Sequence, residues 1–264
     1  MLASYLTLIG FGPQGWGWQL CLATLTTLAV SVAAYIAGLL FGTIGAWAKL
    51  SDLWFARGAA DVYTTVVRGI PDLLVIYLFY FGGSQLLTSL AHALDQPGFW
   101  GLNPFTVGML AVGIVSGAYQ TEVLRGAYLA IPGGEIEAAR AVGMSRLLML
   151  RRIIVPRALR FALPGMGNVW QQVLKESALI SVTGLTEILR QIHIGAGSTH
   201  LPFDFYITGF LLYLLLTSLS GICFRAAEFW ALRSDRRPTP TLPLPRSGGG
   251  LGWGRRPPQR PNAA

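Results

Sequence analysis

Few residues in this 264-residue chain can do chemistry, and most of those sit inside apolar stretches. Asp72 directly follows Pro71 in one such stretch, with Arg68 four residues before it. Asn168, Gln171, Gln172, Lys175 and Glu176 interrupt another. A carboxylate inside a membrane costs at least about 2.5–3.5 kcal/mol on insertion scales, so a compensating group is required. For Asp72 two are open: a cationic group brought in from outside the chain, or Arg68 as a permanent ion pair on the same helical face. This is binding chemistry rather than bond cleavage. The sequence has no G-x-x-x-x-G-K-[ST], no H-E-x-x-H and no G-x-S-x-G, so neither ATP cleavage nor the common hydrolytic chemistries are encoded. His92, His193 and His200 are expected in loops and lack metal-ligand spacing. Cys21 and Cys223 lie within apolar runs, where they are expected as small packed hydrophobes rather than a disulfide or a thiolate site. No metal and no cofactor are expected.

The elements that must position these residues follow from composition. Charged residues make up 12% of the chain, about half the roughly 25% usual in soluble domains, and 53% of residues are hydrophobic. One core of this size cannot hide that much apolar surface, so the surplus must face lipid. A bilayer core about 30 Å thick takes around 20 apolar helical residues. Five stretches qualify: 18–48, 61–81, 105–128, 161–182 and 203–232. The fold class is therefore all-α and integral to the membrane. The polar interruption of the fourth stretch must face protein or a water-filled path. No Lys or Arg precedes the first run, so it is expected as a retained span rather than a cleaved signal. Gly38-x-x-x-Gly42 and Gly113-x-x-x-Gly117 place small residues on one face of the first and third spans, as close helix packing in lipid requires.

The net charge of +8 reflects orientation rather than nucleic-acid binding, because the charges cluster between spans. With the N-terminus outside, the first inner loop holds Lys49 and Arg57. The second inner loop and its flanks hold Arg125, Arg140, Arg146, Arg151, Arg152, Arg157 and Arg160. Eight more lie in or near the C-terminal tail, which places 17 of the 20 Lys and Arg on one side. This predicts an outside N-terminus and an inside C-terminus. Residues 1–234 form the membrane domain. The Pro-, Gly- and Arg-rich stretch 235–264 cannot bury a core and is expected to be disordered.

The long inner loop, about 132–156, is the most informative segment. Pro132 and Gly133 stop the preceding helix, and Glu135 and Glu137 favour the N-terminal end of a new one. Gly143 suits its C-terminal cap and Ser145 the N-cap of the next helix. The result is a short helix with Ala138 and Ala139 available for close approach, and nothing in its own chain to bury itself against.

Here the sequence resembles a known family. Glu137-Ala-Ala-Arg-Ala-Val-Gly143, followed by Ile153-Ile-Val-Pro156, is similar to the "EAA" loop of permease subunits in binding-protein-dependent ABC importers. Arg68-Gly-Ile-Pro71-Asp, Ala118-Tyr-Gln-Thr-Glu122, Ala162-Leu-Pro-Gly-Met-Gly-Asn168 and Leu174-Lys-Glu-Ser-Ala-Leu-Ile-Ser181 occur in the matching order. Together they resemble the polar amino-acid branch, and most of all its "Q" permeases of histidine/lysine/arginine/ornithine and opine uptake. The resemblance covers roughly residues 15–233. It implies a type I importer permease fold with a cytoplasmic coupling helix, in which Glu137, Ala138, Ala139 and Gly143 meet an ATPase. It also implies two ATP-binding cassette subunits that bind and cleave the ATP, a sister permease (a heterodimer expected, a homodimer the alternative), a periplasmic solute-binding protein, and a place in the bacterial inner membrane. The chain itself would be a non-catalytic transport subunit. Asp72, Asn168, Gln171 and Glu176 would line the substrate pathway, the last three also being suited to contact with the sister permease. Glu176 stands where relatives often carry Asp or a small polar residue. The competing reading, an ATPase-independent channel or structural membrane subunit, leaves the loop helix without a task.

Overall fold

Pro71 decides how the first half of the chain is divided. Its ring removes a backbone donor and disfavours helical conformation at the residue before it. In the computed structural model, Ile70 is extended at φ −101° and ψ 139°, and one helix ends there. The structure describes residues 7–13, 15–94, 98 and 100–233. Among them, α1 is Gly17–Leu50, α2 is Trp54–Gly69 and α3 is Asp72–Ala93. The expected span at 61–81 is therefore wrong in register. The crossing helix begins at Asp72, and α2 is a separate helix before it.

Further along, α4 is Pro104–Leu129, started by the Asn103 side chain, which accepts from the Phe105 and Thr106 amides, with Pro104 in the first turn. The short α5 is Gly133–Ala141. α6 covers residues 146–176, opening with Ser145 as N-cap and passing through one wider turn at Leu150–Ile154. After Glu176 the chain tightens into a 3₁₀ stretch, Ser177–Thr183, which ends at Gly184 with φ +91°. α7 is Ile188–Thr199 and α8 is Pro202–Arg233. Among the described residues there is no strand. The predicted tail at 235–264 lies outside the described residues.

Among the described residues four helices, α1, α3, α4 and α8, are long and apolar enough to cross a membrane on their own composition. The fourth expected crossing, 161–182, falls on α6 and the 3₁₀ stretch after it, and α6 has the length but not the apolarity of a span. Arg157, Arg160, Gln171, Gln172, Lys175 and Glu176 all fall on it. It is held instead by packing on α4, α8 and α1. The core is built from small and β-branched side chains: Val30 and Ala34 of α1, Val75 and Ile76 of α3, Ala111, Val112 and Val115 of α4, and Val169 and Val173 of α6. The large apolar residues point outward instead, Leu40, Ile44, Phe210 and Leu215 among them. That inversion suits a surface facing lipid. Cys21 and Cys223 are exposed on α1 and α8 rather than packed inside. His92 and His193 lie in helices rather than loops, and His200 caps α7 at φ +56°.

The tightest seam is α1 against α4, where the two glycine motifs meet each other. A Cβ on Gly42 would stand 2.7 Å from Gln120 Cβ, and one on Gly117 2.7 Å from Phe41 Cβ and 3.2 Å from the Gly38 carbonyl. Gly126, on the same α4, has nothing within 4 Å of its missing Cβ. Gly42→Val should therefore lower stability by about 1–3 kcal/mol, as overpacked cores do. Gly126→Ala should cost nothing. Melting temperatures in detergent check both, and equal behaviour of the two variants would contradict the seam.

Candidate functional site

The break at Pro71 places Asp72 in the first turn of α3 rather than in the middle of a span. The helix N-terminus is a partial positive charge, so it compensates part of the carboxylate there. The internal ion pair with Arg68 is not formed. Arg68 ends α2, and its guanidinium lies over the Tyr119 ring, 5.0 Å from the centroid. Asp72 faces a second carboxyl group instead. Glu176, at the far end of α6, lies within its hydrogen-bonding reach and is repelled by its charge. Glu176 is buried, with its Oε1 accepting from Gln172 Nε2 at 2.6 Å. Two carboxyl groups thus converge between α3 and α6, and among the described residues neither forms an ion pair with Lys or Arg. Such a pair suits a bound cation.

Asn168 and Gln171 belong to a different place. Gln171 Nε2 donates to the Thr217 carbonyl at 3.0 Å and to Ser220 Oγ at 3.3 Å, tying α6 to α8. Asn168 is exposed and lines, with Gln171, Gly221, Arg225 and Glu228, a cavity of about 340 Å³ between those helices. The four expected pathway residues are therefore two pairs, Asp72 with Glu176 and Asn168 with Gln171. Gln172, on the Glu176 side, was seen in the sequence only as part of the polar interruption. A rotation of 100° per residue separates it from Gln171.

The loop helix forms where expected. Gly143 has φ +75°, its amide donates to the Arg140 carbonyl, and the Met144 amide donates to that of Ala139. Glu137, Ala138 and Gly143 are exposed, and Val142 is 76% exposed. Ala139, however, is buried, and the helix is not free of its own chain. Glu135 takes two bonds from Arg157, Nε to Oε2 and Nη2 to Oε1, each 2.9 Å, so α5 is clasped to the base of α6.

Two polar centres were not foreseen. Lys49 at the end of α1 pairs with Glu122 of α4 and, at 2.8 Å, with Asp61 of α2, while Arg125 also binds Glu122 at 3.0 Å. The signal was present as single charges at the ends of apolar runs, but pairing them needs the α1–α4 seam. Glu187 is fully buried and caps α7, accepting from the Leu189 and Arg190 amides and from Tyr213 Oη of α8. The next amide, Ile188, donates to Thr27 Oγ1 of α1. An acid just before an apolar helix is an N-cap signal.

A membrane chain whose described residues form helices and no strand, with a clasped loop helix at one end and paired carboxyl groups between its helices, has the parts that a transport subunit needs. Residues 38–230 match the model of the binding-protein-dependent transport system inner membrane component family, and the chain belongs to it. It is an inner-membrane permease subunit of an ABC importer. The octopine transport system permease protein OccQ of Rhizobium radiobacter is 56% identical over 88% of this chain and 98% of its own length. The histidine/lysine/arginine/ornithine transport system permease protein HisQ of Escherichia coli K12 is 38% identical over 75% and 86%. The crystal structure of an amino acid ABC transporter with histidines superposes with a TM-score of 0.69 at 29% identity, covering 81% of this chain and 95% of that one.

The Lys49 cluster joins three helices at one level, and the Lys49 side chain is only 9% exposed. Lys49→Met should cost about 1–3 kcal/mol, the scale for a lost hydrogen bond to a charged group. Adding Glu122→Gln should cost less than the sum of the single changes, because the two share one interaction. Detergent unfolding of the three variants checks this. Strict additivity would show that the pair is not coupled.

Proposed function

We propose that this chain forms half of a translocation pathway for polar amino acids with a cationic side chain, and that Asp72 and Glu176 receive that side chain. The observation that carries the reading is the convergence of two carboxyl groups, one of them buried, with no Lys or Arg paired to either among the described residues. An incoming ammonium or guanidinium relieves their mutual repulsion, whereas a neutral side chain does not. The relatives named for histidine, lysine, arginine and ornithine agree with a basic solute, and those named for octopine support opine uptake as the second reading. Asn168 and Gln171 suit the sister permease or the polar backbone of the solute.

In this reading the exposed face of α5, with Glu137, Ala138, Val142 and Gly143, seats in a groove of an ATP-binding subunit on the cytoplasmic side. A second permease, a similar chain rather than an identical one, offers the second such helix, so that two ATP-binding subunits are engaged. ATP is bound and cleaved there. A periplasmic solute-binding protein delivers the amino acid to the outer mouth, next to a periplasmic N-terminus, and the C-terminus is cytoplasmic. The clasp between Glu135 and Arg157 passes motion of α5 directly to α6. Along that helix, 19 residues or about 28 Å separate Arg157 from Glu176. Closing and reopening of the ATPases would thus tilt the carboxyl pair between inward and outward access.

Two measurements test the two ends of this lever. Asp72→Asn keeps size and much of the hydrogen bonding but deletes a charge worth about 1.5–3 kcal/mol to a cationic ligand, or roughly 10- to 150-fold in uptake of arginine or lysine. Uptake of a neutral amino acid should fall far less, and the melting temperature should hold, since no arginine is stranded. An equal loss for both solutes would overturn the assignment. Gly143→Trp places a bulky side chain at a positive φ on the exposed face, at about 1–2 kcal/mol of local strain. Membrane insertion should persist while ATP-driven uptake and copurification of the ATPase are lost. Normal coupled uptake would remove α5 from the ATPase contact.

A further inference from the structure

The cavity of about 340 Å³ between α6 and α8 holds two opposite charges that do not answer each other. Arg225 and Glu228 lie three residues apart on one face of α8, and both line it. Among the described residues neither is in an ion pair. Asn168 and Ser218 are exposed at the same cavity, and Gln171 forms part of its wall with its amide bonded to α8. Gly221 keeps the space open. A Cβ there would stand 3.5 Å from Arg225 Nη1 and 3.6 Å from Gln171 Nε2. A guanidinium and a carboxylate thus border one space whose lining has no net charge. A simple anion would leave Glu228 unanswered, and a simple cation would leave Arg225. A zwitterion answers both.

This place is distinct from the Asp72–Glu176 pair. Phe224, next to Arg225, packs on Gly167, where an added Cβ would be 3.2 Å from its ring. Gly167 precedes Glu176 by nine residues, which is about 13.5 Å of helix axis and half a turn round α6. One small solute does not reach both. The cavity lies nearer the α5 end of the bundle, because α6 starts and α8 finishes there. We propose that it is a second amino-acid site, binding the α-carboxylate on Arg225 and the α-ammonium on Glu228. The proposal rests on the reading of this chain as an amino-acid pathway and divides recognition in two. The carboxyl pair reads the charge of the side chain. The α6–α8 cavity reads the backbone that amino acids share.

The test uses both permeases with their ATP-binding subunits in phosphatidylcholine nanodiscs, without the soluble binding protein, so that bound solute is on the membrane complex. Two labelled probes divide arginine between them. Citrulline keeps the backbone zwitterion without the side-chain charge, and agmatine keeps the guanidinium without the carboxylate. Citrulline should bind the wild-type complex and Asp72→Asn alike. Arg225→Gln should weaken that binding about 10- to 150-fold, the range of one charge-assisted hydrogen bond. Gly221→Leu, which fills the cavity and keeps every charge, should abolish it. Arg225→Lys should stay within about tenfold of wild type and so guards against misfolding. Phosphatidylethanolamine carries an ammonium and a phosphate, so adding it to the discs should not displace citrulline; displacement would give the cavity to a lipid headgroup. Absent citrulline binding in wild type, undiminished binding in Arg225→Gln, or its loss in Asp72→Asn would overturn the proposal. Release of the sister permease by Arg225→Gln, read by native mass spectrometry, would do so too, by giving Arg225 to the subunit interface. Agmatine belongs to the carboxyl pair. If its binding survived Asp72→Asn unchanged, the reading of that pair would fail and the second site would stand.

Discussion

A polar group in hydrocarbon has to be answered by the protein, because no water is there to answer it. Nearly every irregular feature of this chain is an answer of that kind. Where Pro71 ends α2, the first amides of α3 are left without helical partners, and Asp72 supplies negative charge beside them. Where α6 brings glutamines into the bundle, Gln171 is bonded to α8 and Gln172 to Glu176. Where α7 begins inside the fold, Glu187 takes its free amides and the Tyr213 hydroxyl together. The Asp72–Glu176 pair stands out against this background, since no Lys or Arg among the described residues is paired with it.

The same constraint separates the static part of the molecule from the part that can move. α1 and α4 meet through glycine with their backbones in near contact, and the Lys49 cluster fastens both to α2. Interlocked small residues leave no room for sliding. α6 packs on the same core through Val169 and Val173 but adds polar side chains to α8, an aromatic edge contact of Trp170 with Tyr35, and the clasp to α5. Polar contacts of that kind can be exchanged for others, whereas a glycine seam cannot.

Apolar length made α1, α4 and α8 legible in the sequence to within a few residues, and the Pro132, Gly133, Gly143 and Ser145 signals located α5 and the start of α6. What could not be read was depth and partnership. Continuous apolar composition ran across Pro71 and hid the break, so α3 was expected eleven residues too early. Arg68 and Asp72 have i, i+4 spacing, but that spacing means proximity only if one helix contains both. Helical spacing also grouped Asn168, Gln171 and Glu176, although α6 faces α8 on one side and α3 on another. The ion cluster was least accessible, since Lys49, Asp61 and Glu122 come from three helices whose relative height depends on the α1–α4 seam.

The clasp between Glu135 and Arg157 also bears on how the transporter assembles. A loop helix of nine residues is too short to be stable alone in water. A free one would have to be ordered at the moment of docking, with the entropy charged against affinity. Here the two-point ion pair and the buried Ala139 hold the helix in shape beforehand, against its own membrane domain. In the proposed reading the ATPase would meet a finished surface. Docking would then be a rigid-body encounter, and a pull on that surface would not be spent in unwinding the helix that transmits it.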